Sequence, residues 1–355
     1  MKILIVGLGG IGQRHLRNIQ ALLGEEAEIR AVDMRQTIPV LTDQLTVEAE
    51  ATLEEKYNLH IYPELKPGLL WKPEVVFVCN PTSLHVPTAL QAARAGCHLF
   101  IEKPLSHSLE QVQELIDLVE SREQMAVVGY QMRFHPCLQR LFTLINEKRV
   151  GRILSVRAEV GDYLPGWHPY EDYRQLYASR RNLGGGVILT QIHEMDYLYR
   201  LFGLPGSIYA LGGHLSRLEV DVEDSVDILM TFSVDGHSIP VSLHEDYVQR
   251  PPSRGCAVIG DTGKILVDYQ SLTVTVFDGK GNQAEAASFK NFQRNQMFMD
   301  ELADFFTFPF IHKEGGVRVT PLVNLEDAAQ SLRMALAAKE SLTTGKIKEL
   351  VRELV

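Results

Sequence analysis

Four cysteines in 355 residues, at positions 79, 97, 137 and 256, make no CxxC pair and no metal-ligand spacing. A disulfide framework and a metal site are therefore not expected, and free thiols suit a reducing, cytoplasmic setting. Positive charge is also in short supply: 35 Lys and Arg face 45 Asp and Glu, for a formal net charge of −10. Nucleic acids and anionic membrane surfaces select basic footprints, so neither is an expected partner. The opening "MKILIVGLGGIG" is cut by glycine at position 7, too early for the apolar stretch of a signal peptide or a membrane span. No internal repeat or low-complexity tract is visible.

What is present is an ordinary globular composition, 45% hydrophobic and 23% charged. The chain exceeds one typical domain of about 150 residues, so two are expected. Up to residue 128, β-rich apolar runs at 2–7, 28–33, 74–79, 98–103 and 125–130 alternate with helical patterns near 11–23, 45–57, 84–95 and 108–121. Continuous apolar strands separated by helices predict a parallel, doubly wound Rossmann sheet over 1–128. From 129 to 355 the pattern changes to closely spaced strands at 153–161, 207–214, 225–234, 237–248, 255–260, 264–269 and 272–278. Turns such as "VDG" and "GDTG" between several of them favour antiparallel hairpins, predicting an α+β domain with a large, mainly antiparallel sheet. A helix at about 325–341 is placed to pack back on the first domain.

"VGLGGIG" supplies Gly7, Gly9 and Gly12 between a strand and a helix, with Gly10 and Ile11 in the same turn. In a G-x-G-x-x-G frame the first glycine permits the tight turn, the second lets a pyrophosphate approach the backbone, and the third allows close helix packing. Asp33 ends the next strand, where a carboxylate accepts hydrogen bonds from the adenosine ribose and repels a 2′-phosphate. NAD is the expected cofactor and NADP the less favoured one, with Arg35 leaving NADP open.

"FIEKPLS" (100–106) ends a strand of this sheet, followed by "GYQMRFHP" (129–136) and "GGGVILTQIHEMD" (184–196). Together with the glycine turn, their order and spacing resemble the glucose-fructose oxidoreductase, inositol dehydrogenase and rhizopine catabolism (Gfo/Idh/MocA) family over nearly the whole chain. The resemblance implies a sugar, polyol or nucleotide-sugar dehydrogenase. It puts Asn80, Pro81 and His85 near the nicotinamide ribose, Glu102 at the nicotinamide end, Lys103 on the substrate hydroxyl, and Arg133 against cofactor or substrate. From the residues alone, Arg133 fits an interdomain ion pair equally well.

Read as one helix, 187–202 sets Ile188, Ile192, Met195, Tyr199 and Phe202 on one stripe and Thr190, His193, Tyr197 and Arg200 opposite it. His193 then faces water or a cleft. The resemblance makes it the acid/base, a role that suits an imidazole near neutral pH. Many relatives carry an aspartate one turn earlier, where this chain has Thr190 or Leu189; Thr190 is read as a hydroxyl relay or a spectator. Before the glycines, Tyr163, Trp167, His168, Tyr170, Tyr173 and Tyr177 offer aromatic faces for a sugar ring, or else pack a loop or a subunit contact. Arg174, Arg180 and Arg181 are anion-binding candidates on the substrate side or plain surface charge. Two rival readings stay open: a C=N or tetrapyrrole reductase on the same scaffold, and a non-catalytic NAD-binding sensor. A homodimer or homotetramer is expected.

Overall fold

The apolar runs of the first half become the strands Lys2–Val6, Glu28–Val32, Val75–Val78, His98–Glu102 and Ala126–Gly129 of a computed structural model. The model describes residues 1–49, 51–311 and 323–350. A sixth strand, His60–Tyr62, was not legible as an apolar run: it is three residues long, has Ile61 as its one aliphatic residue, and lies at the sheet edge. All pairings in this sheet are parallel. In chain order the strands lie 3-2-1-4-5-6, so the order reverses between Lys2–Val6 and Val75–Val78, the crevice where such sheets bind ligands.

The helix expected over 45–57 shrinks to Leu53–Tyr57, preceded by a small hairpin of Val40–Leu41 with Val47–Glu48. Thr52 and Glu55 form a reciprocal capping box, which fixes the helix start at that point. The helix expected over 108–121 begins only at Val112, after Gln111 in a left-handed conformation.

The second sheet has nine strands, ordered Gln283–Ser288, Thr273–Asp278, Gly263–Asp268, Ser253–Gly260, Ile153–Gly161, His237–Asp246, Ser225–Val234, Ser207–Gly213 and Lys348–Glu349. Its neighbours are antiparallel except for the parallel pair Ile153–Gly161 with His237–Asp246. Along Ser225–Val234 buried and exposed residues alternate strictly, the mark of a sheet covered on one face only. The helix Leu325–Thr344 packs on strand Ser207–Gly213 and also touches strand Ala126–Gly129, joining the two sheets. A helix not anticipated from the sequence, Arg294–Ile311, lies on the first helix of the other sheet. Its Phe305 meets Phe77 and Phe100 edge-on within their core.

The glycine-histidine segment is two helices, Val187–Thr190 and His193–Phe202, and not one. In a continuous helix the Thr190 carbonyl would accept from the amide of residue 194. It accepts instead from Lys103 Nζ at 2.7 Å, and Gln191 Nε2 donates to the Asp246 carbonyl at 3.2 Å, so the ladder is interrupted between them. The polar side of the segment is enclosed as well: Thr190, His193 and Tyr197 are all buried. Gly186, at φ +106, is required where a Cβ would strike the Glu223 carboxylate.

Candidate active site

Strand Lys2–Val6 delivers the chain into a turn that only glycine fits. A Cβ on Gly12 would lie 1.9 Å from the Gly7 carbonyl oxygen, whereas one on Gly9 would meet nothing within 4 Å. The turn is thus closed against the strand and open toward the helix start Gly10–Leu23, the geometry of a phosphate cradle. Gly12→Ala is expected to weaken NADH binding about five- to 150-fold, since overpacking costs ~1–3 kcal/mol. Fluorescence titration with NADH checks this, and an unchanged dissociation constant rules the cradle out.

Asp33 Oδ2 accepts from the Leu8 amide at 2.8 Å, and Arg35 forks onto the same carboxylate through Nε and NH2 at 2.9 and 2.7 Å. Burial alone would raise the Asp33 pKa, but the Arg35 fork and the Leu8 and Arg35 amides outweigh it, and the carboxyl sits below its usual value. Arg35 is thereby neutralised, so a 2′-phosphate would meet the Asp33 carboxylate. Asn80 gives its amide to Thr88 Oγ1 at 2.9 Å and keeps a buried, unpartnered Oδ1 at the carboxyl end of the neighbouring strand. An open glycine turn, an anionic Asp33 and this orphan acceptor fit NAD.

His85, expected beside the nicotinamide ribose, braces the loops instead: its ring nitrogens lie 2.8 Å from the Pro104 and Asn80 carbonyls. Pro81 opens the short turn that carries it. Glu102 is buried at the end of its strand, with Oε1 2.7 Å from His15 Nε2 and Oε2 accepting from the Lys103 amide at 3.2 Å.

Lys103 points across the interface between the two sheets to the Thr190 carbonyl. Burial pushes its pKa down to about 8; Arg254 and Arg294 push the same way, and Glu102 and Glu194 oppose. His193 holds Nε2 at 3.2 Å from Gln131 Nε2, while its Nδ1 is buried without a partner. Burial lowers its pKa far below the usual imidazole value, and Lys103, Arg254 and Arg294 add to that. The imidazole is therefore neutral at pH 7. The acids that follow it face elsewhere, Glu194 gripped by Arg254 at 2.7 and 2.8 Å and Asp196 by Arg133 at 2.8 and 2.7 Å. Thr190 Oγ1 is buried and unpartnered.

Arg133, expected against cofactor or substrate, is instead a structural clamp, fully buried between Asp196 and Asp327. Removing one partner of a buried pair leaves an uncompensated charge, so Arg133→Ala should lower stability by about 3–5 kcal/mol; thermal unfolding measures it.

The substrate candidates divide. Trp167 is packed edge-on to Tyr247 with ring centres 5.4 Å apart and a buried, unpartnered Nε1, free to donate. Tyr163 lies under the Arg250 guanidinium at 4.0 Å. His168 binds Glu171 at 2.9 Å and stacks on Tyr170, whose hydroxyl lies against Gly10 of the glycine turn. Arg174, expected on the substrate, is tied at the surface to Asp172 and Glu219. Arg181 is likewise held by Asp221 and Arg180 by Gln175. Among residues not anticipated, Gln131 and Arg254 stand beside His193 and Glu194. Arg254 had a signal: with Cys256 and Val258 it shares the inward face of a strand, where a lone cation is unusual.

No helix among the described residues is long and apolar enough to cross a membrane. All four cysteines are free and buried. A doubly wound sheet with a glycine cradle and an acidic strand end, closed by a mixed sheet that brings a lysine and a histidine together, defines a two-domain NAD-dependent oxidoreductase. Residues 1–130 match the oxidoreductase family with an NAD-binding Rossmann fold, and residues 138–266 match the GFO/IDH/MocA C-terminal domain. The chain belongs to the Gfo/Idh/MocA oxidoreductase family. It is similar to the myo-inositol 2-dehydrogenase of Thermotoga maritima, 24% identical with 99% of this chain and 100% of that protein covered. The structure of myo-inositol 2-dehydrogenase from Lactobacillus plantarum superposes with a TM-score of 0.77 at 21% identity, covering 99% of each chain. The WlbA dehydrogenase of Bordetella pertussis, in complex with NADH and UDP-GlcNAcA, gives 0.77 at 20% identity, again covering 99% of each.

Proposed function

We propose that this chain oxidises a secondary hydroxyl of a sugar, polyol or nucleotide sugar with NAD, or reduces the matching ketone, using Lys103 and His193. It is an NAD-dependent enzyme of CH–OH groups, as its family is, and the relatives named above act in that chemistry. The observation that carries the residue roles is the meeting, at one break in a helix, of the Lys103 ammonium and the unpartnered His193 Nδ1.

Bound NAD supplies the hydride acceptor. Residues 1–128 hold it and 129–355 hold the substrate. Lys103 gives one N–H to the Thr190 carbonyl and keeps two for the substrate oxygen, steadying negative charge as it develops. His193 Nδ1 takes the hydroxyl proton and returns it in the reverse direction. With Nδ1 as the accepting nitrogen, Nε2 carries the ring hydrogen in both the neutral and the charged state, so the Gln131 amide is turned over to accept it through the otherwise unpartnered Oε1. Thr190 acts through its carbonyl. Thr190→Val should therefore keep turnover within about fivefold, roughly 1 kcal/mol; a loss beyond a hundredfold would restore the hydroxyl relay.

The assembly is a cytoplasmic homodimer or homotetramer, joined through the open sheet face where Leu154, Leu211, Leu229 and Leu266 are exposed. Incubating the NAD-loaded protein with a panel of polyols, sugars and nucleotide sugars while following NADH absorbance tests the activity. Tight NADH binding with no absorbance change across the panel would leave the sensor reading in its place.

A further inference from the structure

Two hydrogen bonds separate Lys103 from a buried histidine that neither proton transfer nor substrate contact uses. His15 stands on the helix Gly10–Leu23 in a cage of Phe77, Phe100 and Phe298, with ring centres 5.5, 5.0 and 6.4 Å away. Its Nε2 lies 2.7 Å from Glu102 Oε1, and its Nδ1 is buried without a partner. Those two facts fix the proton. A ring bare at Nε2 would need a protonated Glu102, and both that state and the imidazolium carry an Nδ1–H with no acceptor, which buried donors avoid. The neutral ring with its hydrogen on Nε2, donated to an ionised Glu102, leaves no donor unmet, and 2.7 Å suits such a charge-assisted bond. Glu102 is itself buried, and among the described residues it accepts only from His15 and, at 3.2 Å, from the Lys103 amide. The paired strand leaves room for it: a Cβ on Gly129 would stand 3.3 Å from Glu102 Oε1. Burial favours the neutral form of a carboxyl group, so a charged one here depends on its donors.

We propose that His15 is a positioning residue: by donating Nε2–H it keeps Glu102 ionised, and the Glu102 charge keeps the neighbouring Lys103 ammonium protonated for its work on the substrate oxygen. Burial acts most strongly against that ammonium; among the charges around it Glu102 is the foremost in its favour, Glu194 adds to it while gripped by Arg254, and Arg254 and Arg294 oppose. Around Glu102 the other titratable groups are uncharged near neutral pH. Burial raises the Cys79 thiol and the Tyr177 phenol and lowers the His85 imidazole, while burial and then Glu102 itself push Glu301 well above the usual carboxylate range. Arg14, on the helix of His15, is the cation that also feels Glu102. The proposal rests on the dehydrogenase reading for the part Lys103 plays, but the titration of its ammonium is measurable without any substrate.

The test follows Lys103 in the whole protein labelled with carbon-13 lysine, by NMR titration of the side-chain Cε signal that is missing from Lys103→Met. His15→Phe places an aromatic ring without a donor in a cage that is already aromatic, His15→Gln keeps a donor, and Glu102→Gln removes the charge outright. The wild-type signal should titrate near 8, and in His15→Phe and Glu102→Gln it should fall to about 7 or below, since an opposite charge close by is worth about 1–3 pH units. The double variant should fall no further than Glu102→Gln alone, and His15→Gln should stay near the wild type. Where a substrate is in hand, the alkaline limb of kcat/KM should move with the signal. A histidine that only fills its cage would lower the melting temperature of His15→Phe and leave the titration where it was, which overturns the proposal. So does an upward move in His15→Phe, an unmoved signal in Glu102→Gln, or a His15→Gln that behaves like the phenylalanine variant. If His15→Phe does not fold, His15→Met, also without a donor, is read in the same way. Titrations that move as expected in a protein that oxidises none of the sugars and polyols offered support the part given to His15 and count against the dehydrogenase reading instead.

Discussion

Lys103→Met is expected to remove turnover from a protein that still folds and still binds NADH. The ammonium reaches into the break at Thr190, 2.7 Å from its carbonyl. Losing a donor aimed at developing oxyanion charge costs about 10²–10³ in kcat. The pH profile carries a sharper signature. Burial first, then the neighbouring arginines, bring the Lys103 pKa down to about 8. The charged form is required, so wild-type oxidation should fall as pH rises through about 8, and the residual activity of Lys103→Met should lack that limb. Stability should move the other way. A lysine whose folded pKa lies below its unfolded value destabilises the fold wherever it is protonated, and the penalty fades only as pH rises past about 8. At pH 7 the methionine variant is therefore expected to be the more stable by something on the order of 1–3 kcal/mol. Unchanged kcat, or an alkaline limb that survives the substitution, would falsify the role given to Lys103.

The parts of this site that follow one continuous rule along the chain were legible in the sequence. Gly7, Gly9 and Gly12 stand in a fixed frame between strand and helix, and a carboxylate ends the next strand; the structure puts Asp33 on the Leu8 amide, beside that turn. Periodicity failed where a long-range partner overrode it. The spacing of 187–202 fits one helix, yet the Lys103 ammonium, 87 positions from Thr190, takes the carbonyl that the helix needs. The same cause misdirected Arg133 and Arg174. An arginine announces its charge in a sequence but not its counter-ion, and Asp196, Asp327, Asp172 and Glu219 claim these two. The edge strand His60–Tyr62 has too few apolar residues to mark itself and exists because Glu28–Val32 offers it a ladder.

His193→Asn is the second large effect, and it separates proton transfer from substrate positioning. General acid–base catalysis by a positioned side chain contributes about 10²–10⁴-fold, so kcat should drop within that range while KM changes little. An asparagine keeps a polar group near Gln131, which limits disturbance of the fold. The wild-type profile should show no acid limb near the ordinary imidazole value of about 6.5. Burial, Lys103, Arg254 and Arg294 keep the ring neutral, and ready to accept a proton, to well below that pH. The same surroundings make the imidazolium, once formed, a strong acid, so the proton must leave quickly after hydride transfer or reverse the reaction. No carboxylate holds it: among the described residues His193 has no acidic hydrogen-bond partner, and Glu194 and Asp196 are both turned toward arginines. A limb near 6.5 in kcat/KM, which reports the free enzyme, would show that the imidazole does not feel this burial and these cations.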